Sequence, residues 1–285
     1  SAVLIQQKEV ETYGAPALVL SRRTRRVPTV LTLQLGSDLS DLLRRVWWAY
    51  PFVRRFYTTP DRVTVPSSFL AGHASAMGVD PARVRFVPNS VERRFFESTL
   101  SSEQRQDVRV RYGVPPGAFL IVSASRLERK NGVDLLVEAL HDDRLRDVHL
   151  LLFGGGSLEA ALRARVREAG SSDRVHFGGY VPHHELPSLL PAADCFARPS
   201  RTEGLGSAFL EALALGLPTI GTMVGGIPEF LRSTTGFPVT PNSARAVADA
   251  VHDLRSMDAG RLDERRRAAR ALVAREYVGE STMAR

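Results

Sequence analysis

Crosslinking is the first thing this chain lacks. Its 285 residues include one cysteine, Cys195, set in the apolar run Ala-Asp-Cys-Phe-Ala, which reads as a buried strand. A single thiol builds no disulfide framework, so a reducing cytoplasm is the expected setting. A membrane-spanning run is missing too: the longest uncharged stretch, residues 212–228, carries four glycines and two prolines and reads as core plus turns. No Gly-Lys dipeptide occurs, which removes a Walker-type phosphate loop, and no Gly-x-Ser-x-Gly elbow marks a hydrolase nucleophile. Gly154-Gly155-Gly156-Ser157 comes near a dinucleotide fingerprint, but Glu159 stands where the third glycine belongs. A tight strand-to-helix turn is the better reading, and neither nicotinamide nor flavin is expected. His183-His184-Glu185 begins like a zinc helix, yet the residue four after His184 is Ser188, and Pro187 interrupts the helix. No metal site is expected there.

What is present is an ordinary globular composition, 44% hydrophobic and 24% charged, over a length that suits two domains. The net charge of +7 is unevenly placed: from Arg22 to Arg62, nine arginines stand against Asp38, Asp41 and Asp61. Trp47, Trp48, Tyr50, Phe52, Phe56 and Tyr57 are interleaved with them. Such a segment fits anionic lipid headgroups, nucleic acid or anionic glycan, or a solvated helix face with its aromatics turned inward. No helix-turn-helix, zinc-finger or RNA-binding motif accompanies it, so nucleic acid is set aside. The partner expected of residues 40–62 is an anionic membrane surface.

Residues 1–97 show strand patterns at 3–6, 29–33, 62–65 and 84–88, with helical patterns over 40–57 and 67–77. Ser101-Ser102-Glu103-Gln104 opens a helix with the capping-box pattern. The linker between the halves is placed at about 98–106. From residue 118, strands at 119–124, 148–153, 175–177, 195–197 and 218–222 alternate with helical patterns at 132–140, 158–169, 185–190 and 207–215. Alternation of this kind means a parallel sheet covered on both faces, with ligands bound at the carboxyl ends of its strands. Segments 125–131, 154–157, 178–181 and 200–206 fall at those ends. Residues 261–278 form a charged amphipathic helix.

Two groups of residues there carry chemistry. Arg126 and Lys130 follow a strand and precede a helix, where a guanidinium fork and an ammonium suit a diphosphate. Glu203 and Glu211 bracket Gly204-Leu205-Gly206, a glycine turn leading into an apolar helix. Such a turn brings backbone N–H groups close to a ligand, and the helix N-terminus favours an anion. The loop carboxylate can reach a sugar while the helical one reaches the ribose of the same nucleotide.

Together these residues resemble the family 4 retaining glycosyltransferases of the GT-B fold. The resemblance rests on Ser-Arg-Leu-Glu-Arg-Lys-Asn-Gly (125–132), Phe-Gly-Gly-Gly-Ser (153–157) and Val-His-Phe-Gly-Gly-Tyr-Val-Pro (175–182). It continues in Arg-Pro-Ser-Arg-Thr-Glu-Gly-Leu-Gly (198–206), Leu-Glu-Ala-Leu-Ala-Leu-Gly-Leu-Pro (210–218) and Val-Gly-Gly-Ile-Pro-Glu (224–229). The implied fold is α/β, with two doubly wound Rossmann-like domains facing a central cleft. Residues 1–97 would be the acceptor-side domain, of which only the latter part is expected. Residues 98–260 would bind the nucleotide sugar, and the helix in 261–285 would return toward the N-terminal domain.

By the same resemblance, Arg126 and Lys130 bind the diphosphate, Glu203 meets the donor sugar's hydroxyls and Glu211 binds the ribose. The backbone of Gly204, Leu205 and Gly206 lies beside sugar and phosphate, and that near Val181 meets the base. The donor implied is a UDP- or GDP-sugar, with no separate cofactor, and the acceptor a glycan or a lipid-linked molecule. Two features depart from the family: no Gly-Gly loop opens the N-terminal half, and Gln34-Leu35-Gly36-Ser37-Asp38 stands where many members carry His-Gly. Gln34 or Asp38 is the substitute available on the acceptor side. These departures leave room for a non-catalytic nucleotide-sugar-binding module, or a nucleotide-sugar epimerase, beside the transferase.

Overall fold

The computed structural model describes residues 28–34 and 50–278, with Arg44, Trp48 and the backbone of residues 3–6. Four short parallel strands form the first sheet in sequential order: β1 (Val3–Gln6), β2 (Thr29–Thr32), β3 (Arg62–Val65) and β4 (Val84–Phe86). The alternation in Arg62-Val63-Thr64-Val65 turns Val63 and Val65 inward, where they meet Leu31, Leu33, Phe56, Leu70 and Met77. Phe56 lies on helix α1 (Tyr50–Thr58) and Leu70 on α2 (Ser68–Ala76). Of the helical pattern expected over 40–57, most of the part before Tyr50 lies outside the described residues.

A short helix α3 (Arg93–Glu97) leads to α4 (Ser102–Arg111), whose start has both capping-box bonds, Ser101 Oγ to Gln104 N at 3.1 Å and Gln104 Oε1 to Ser101 N at 3.0 Å. The helix therefore claims half of the segment read as linker, because its cap satisfies backbone donors that a free linker would leave to water.

The second sheet holds β5 (Phe119–Ala124), β6 (Val148–Phe153), β7 (Val175–Gly179), β8 (Cys195–Arg198), β9 (Thr219–Thr222) and β10 (Phe237–Val239). Their order across the sheet is β10-β9-β8-β5-β6-β7, with every paired neighbour parallel. The chain starts in the middle at β5, moves outward to β7, then crosses back to lay β8 on the other flank of β5. Every residue of β6 is buried, as a strand covered on both faces requires. One face carries α5 (Val133–Ala139), α6 (Glu159–Glu168) and α9 (Ala244–Ser256). The other carries α7 (Leu186–Leu189), α8 (Ser207–Ala214) and α10 (Ala259–Glu276).

Differences from the sequence reading have local causes. The pattern at 185–190 closes up into 3-10 turns around a four-residue α7, since Pro187 and Pro191 remove backbone donors. Strand β10 and helix α9 were not read at all. The edge strand is three residues long and carries Pro238.

At the amino ends of the central strands, Asp194 accepts from Leu120 N (2.6 Å), Arg105 Nη2 (2.5 Å) and Arg109 Nη2 (2.8 Å), tying α4 to β5 and β8. On the neighbouring strands the rings of His149 and His176 stack, with Nδ1 and Nε2 3.0 Å apart. The two sheets meet at their carboxyl ends. Ser67 Oγ donates to the Gly204 carbonyl (2.6 Å), and Glu229 Oε1 accepts from Ser68 N (2.7 Å) and Oγ (2.6 Å). Glu229 thus places a carboxylate on the N-terminus of α2 from across the boundary. Asn89 donates to Ser207 Oγ at 3.1 Å, and Val91 pairs with Val278 through its N–H to the Tyr277 carbonyl (2.7 Å).

Candidate functional site

Strand order reverses between β5 and β8, and in sheets of this kind that reversal opens a crevice at the carboxyl ends. The loop leaving β5 carries Arg126 and Lys130, and the loop leaving β8 carries Glu203 to Gly206. Two glycines bring the loops flanking the crevice together, Gly132 in the β5 loop and Gly225 in the loop after β9. Gly132 adopts φ +69°, and a Cβ there would sit 1.9 Å from the Pro199 carbonyl oxygen. Gly225, at φ +58°, would place one 1.7 Å from the Glu203 carbonyl oxygen. No side chain fits either position, so each loop touches its neighbour backbone to backbone.

The β5 loop is fixed at several points. Asn131 Nδ2 donates to the Arg126 carbonyl (2.7 Å), and Arg201 N donates to that of Lys130 (2.7 Å). Ser157 donates to Glu128 from Oγ (2.6 Å) and from N (3.0 Å), which pins the β5 loop to the β6 loop. Those bonds hold the Glu128 carboxyl below its usual range. Arg126 itself is exposed. The Lys130 ammonium is pushed below its ordinary range by burial and next by the Arg126 charge, while Glu203 and Glu128 pull the other way. Lys130 thus lies within the field of the other three.

In the β8 loop, Glu203 pairs with Arg198, the last residue of β8. Arg198 is 7% exposed, lies over the Phe209 ring at 4.6 Å and donates from Nε to Ser200 Oγ (3.2 Å). A guanidinium so enclosed needs its carboxylate partner. The pairing takes one Glu203 oxygen, while the other accepts weakly from Gly204 N at 3.2 Å. Gly204, Leu205 and Gly206 are buried, with Leu205 in the core.

Glu211 sits on α8 and is buried, with His183 Nε2 2.9 Å from its Oε1. Val181 packs its side chain against the core that α8 shares. The structure thus brings Arg126, Lys130 and Glu203 together and puts Glu211 beside the segment that follows β7. Three residues that contact these candidates were not singled out by sequence reasoning: Arg198, His183 and Ser67. His183 had drawn notice only as a failed zinc pattern, although its nearness to Val181 at a strand end was a usable signal. Among the described residues, no group of three or more His, Cys, Asp or Glu could hold a metal ion.

Two family descriptions match the chain: "Glycosyl transferases group 1" over residues 104–271 and "Glycosyl transferase 4-like domain" over residues 4–90. A GDP-mannose-dependent alpha-(1-6)-phosphatidylinositol monomannoside mannosyltransferase of Mycobacterium tuberculosis is 34% identical over 292 residues, covering 96% of this chain and 73% of that protein. A putative colanic acid biosynthesis glycosyltransferase of Salmonella typhimurium, WcaL, is 27% identical, covering 93% and 66% respectively. Among solved structures, Anabaena HepE in complex with UDP and glucose superposes with a TM-score of 0.84 at 20% identity, over 98% of this chain and 75% of that one. The shared architecture is GT-B.

Proposed function

Since the chain belongs to the group 1 glycosyl transferases and is a glycosyltransferase that draws on a nucleotide sugar, we propose that it moves mannose from GDP-mannose to a phosphatidylinositol-based acceptor. The proposal includes retention of anomeric configuration and a reaction that needs neither a metal ion nor any other cofactor. Donor and acceptor are argued from the relatives: the proteins of Mycobacterium tuberculosis and Mycolicibacterium smegmatis, each 34% identical to this chain, carry both in their names. With transferases as relatives, a non-catalytic module and an epimerase are not favoured.

The observation that carries the residue assignments is the convergence of Arg126, Lys130 and Glu203 at the β5/β8 reversal. As the bond from sugar to phosphate breaks, negative charge grows on the departing diphosphate. Arg126 and Lys130 on the β5 loop offer two cations to stabilise that charge, which is the role a metal would otherwise fill. Glu203, oriented by Arg198, receives hydroxyls of the sugar, and Glu211 receives the ribose. The backbone of Gly204, Leu205 and Gly206 lines the sugar and phosphates, and that of Val181 faces the base. On the acceptor side Gln34 is half-buried, whereas Asp38 lies outside the described residues.

The same proposal puts the protein in the cytoplasm, on the inner membrane face. Trp48 is 70% exposed and Phe52 72%, beside the exposed Arg54 and Arg55. That combination suits the interface of an anionic bilayer. No helix among the described residues is long and apolar enough to cross a membrane. The test is transfer from labelled GDP-mannose to phosphatidylinositol mannosides in the presence of EDTA, with UDP-glucose as the contrast. A labelled lipid that forms from GDP-mannose is expected. Turnover with UDP-glucose alone would overturn the donor assignment, and dependence on added metal the metal-free reading.

A further inference from the structure

Outside the residues given roles above, one side chain touches the ribose carboxylate and also the segment that joins the two halves. His183 presents Nε2 to Glu211 Oε1 at 2.9 Å, and Arg94 Nη2 lies 3.3 Å from its Nδ1. Arg94 is in turn held by Glu92 Oε1 at 2.7 Å, and that oxygen stands 3.4 Å from the same imidazole nitrogen. The ring lies against Phe95, with centroids 5.4 Å apart. Glu92, Arg94 and Phe95 belong to the stretch between the last strand of the first sheet and α4.

Guanidinium groups only donate. An ionised carboxylate only accepts, so Nε2 carries a proton and donates it to Glu211, while Nδ1 lies between Arg94 Nη2 and Glu92 Oε1. Arg94 and Glu92 together hold the far side of the ring, and the near side donates to Glu211. A carboxylate held this way by one oxygen has its rotamer set before the ligand arrives and keeps the second oxygen for a hydroxyl. Pre-orientation of this kind removes an ordering cost that binding would otherwise meet.

We infer that His183 is a positioning residue for the donor: it fixes Glu211 for the ribose and anchors that carboxylate to the connecting segment through Arg94 and Glu92. The inference rests on the ribose role given to Glu211 above. Its consequence is selective. Loss of His183 raises the concentration of nucleotide needed without removing any group from the diphosphate or the sugar.

The experiment is calorimetric binding of GDP, of UDP and of their 2′,3′-dideoxy forms to the full chain and to His183→Ala, His183→Gln and Glu211→Ala. His183→Ala is expected to weaken the diphosphate that binds the unaltered chain about tenfold, the scale of a lost bond to a charged group. His183→Gln, whose amide also donates, should recover most of that loss. The dideoxy form should bind His183→Ala and the unaltered chain alike, since it has no ribose hydroxyl for Glu211 to receive. In turnover the same variant should raise the donor KM and leave kcat within about twofold. Two results would overturn the inference: His183→Ala binding as tightly as the unaltered chain, or losing as much affinity for the dideoxy form. If Glu211→Ala itself binds the natural diphosphate normally, it is the ribose assignment that falls, so the two failures read differently.

Discussion

Replacing Arg126 or Lys130 by alanine should lower kcat about 100- to 1,000-fold, the usual cost of removing a group that stabilises developing charge. Steady-state kinetics at saturating donor measures it, and a loss under about threefold would remove that residue from the diphosphate site. Glu203 has two duties that can be separated. Glu203→Ala strands the enclosed Arg198 guanidinium and should cost about 3–5 kcal/mol of stability, read from urea unfolding, besides its loss of turnover. The double variant Arg198→Met with Glu203→Gln should recover much of that stability while turnover stays low. At this scale the sequence was uneven. Arg126, Lys130 and Glu203 were singled out as candidates because each sits in a motif next to a strand end, and Glu211 because it follows the glycine turn of the same motif. Arg198 was not, because it closes the apolar strand Cys195-Phe196-Ala197, and only the fold shows which carboxylate covers it. The same holds for His183, whose partners are 28 and 89 residues away.

Strands and helices of the second sheet read clearly because burial on both faces writes them as apolar runs: β5 and β6 have the bounds expected. Elements with little apolar signal escaped, such as the three-residue β10. A pairing between elements gives the pH prediction. Burial pushes the imidazoles of His149 on β6 and His176 on β7 below their ordinary range, His176 also through its neighbour's charge. A depressed histidine is neutral in the folded chain and protonated more readily when unfolded. Stability is therefore full above the unfolded value, 6.5, and declines as pH falls below it toward the folded values. The melting temperature should drop between pH 7 and pH 5, and His176→Gln should flatten that profile. A slope unchanged in the variant would assign the pH dependence to other groups.

The whole molecule adds what neither scale holds: a site built by two sheets, with Ser67 and Glu229 bonding across the boundary. It also carries an exposed aromatic and basic flank on the first domain. Trp48→Ser with Phe52→Ser should reduce binding to vesicles containing phosphatidylinositol in a flotation assay, while GDP affinity stays unchanged. Equal flotation of variant and parent would remove that flank from the membrane surface. The parallel pairing of Val91 with Val278 has a mechanical consequence. One bond, from Val91 N–H to the Tyr277 carbonyl, ties the end of α10 to the segment that leaves the first sheet. The end of that helix and the connecting segment beside Glu92 and Arg94 are therefore restrained together, each limiting how far the other can shift.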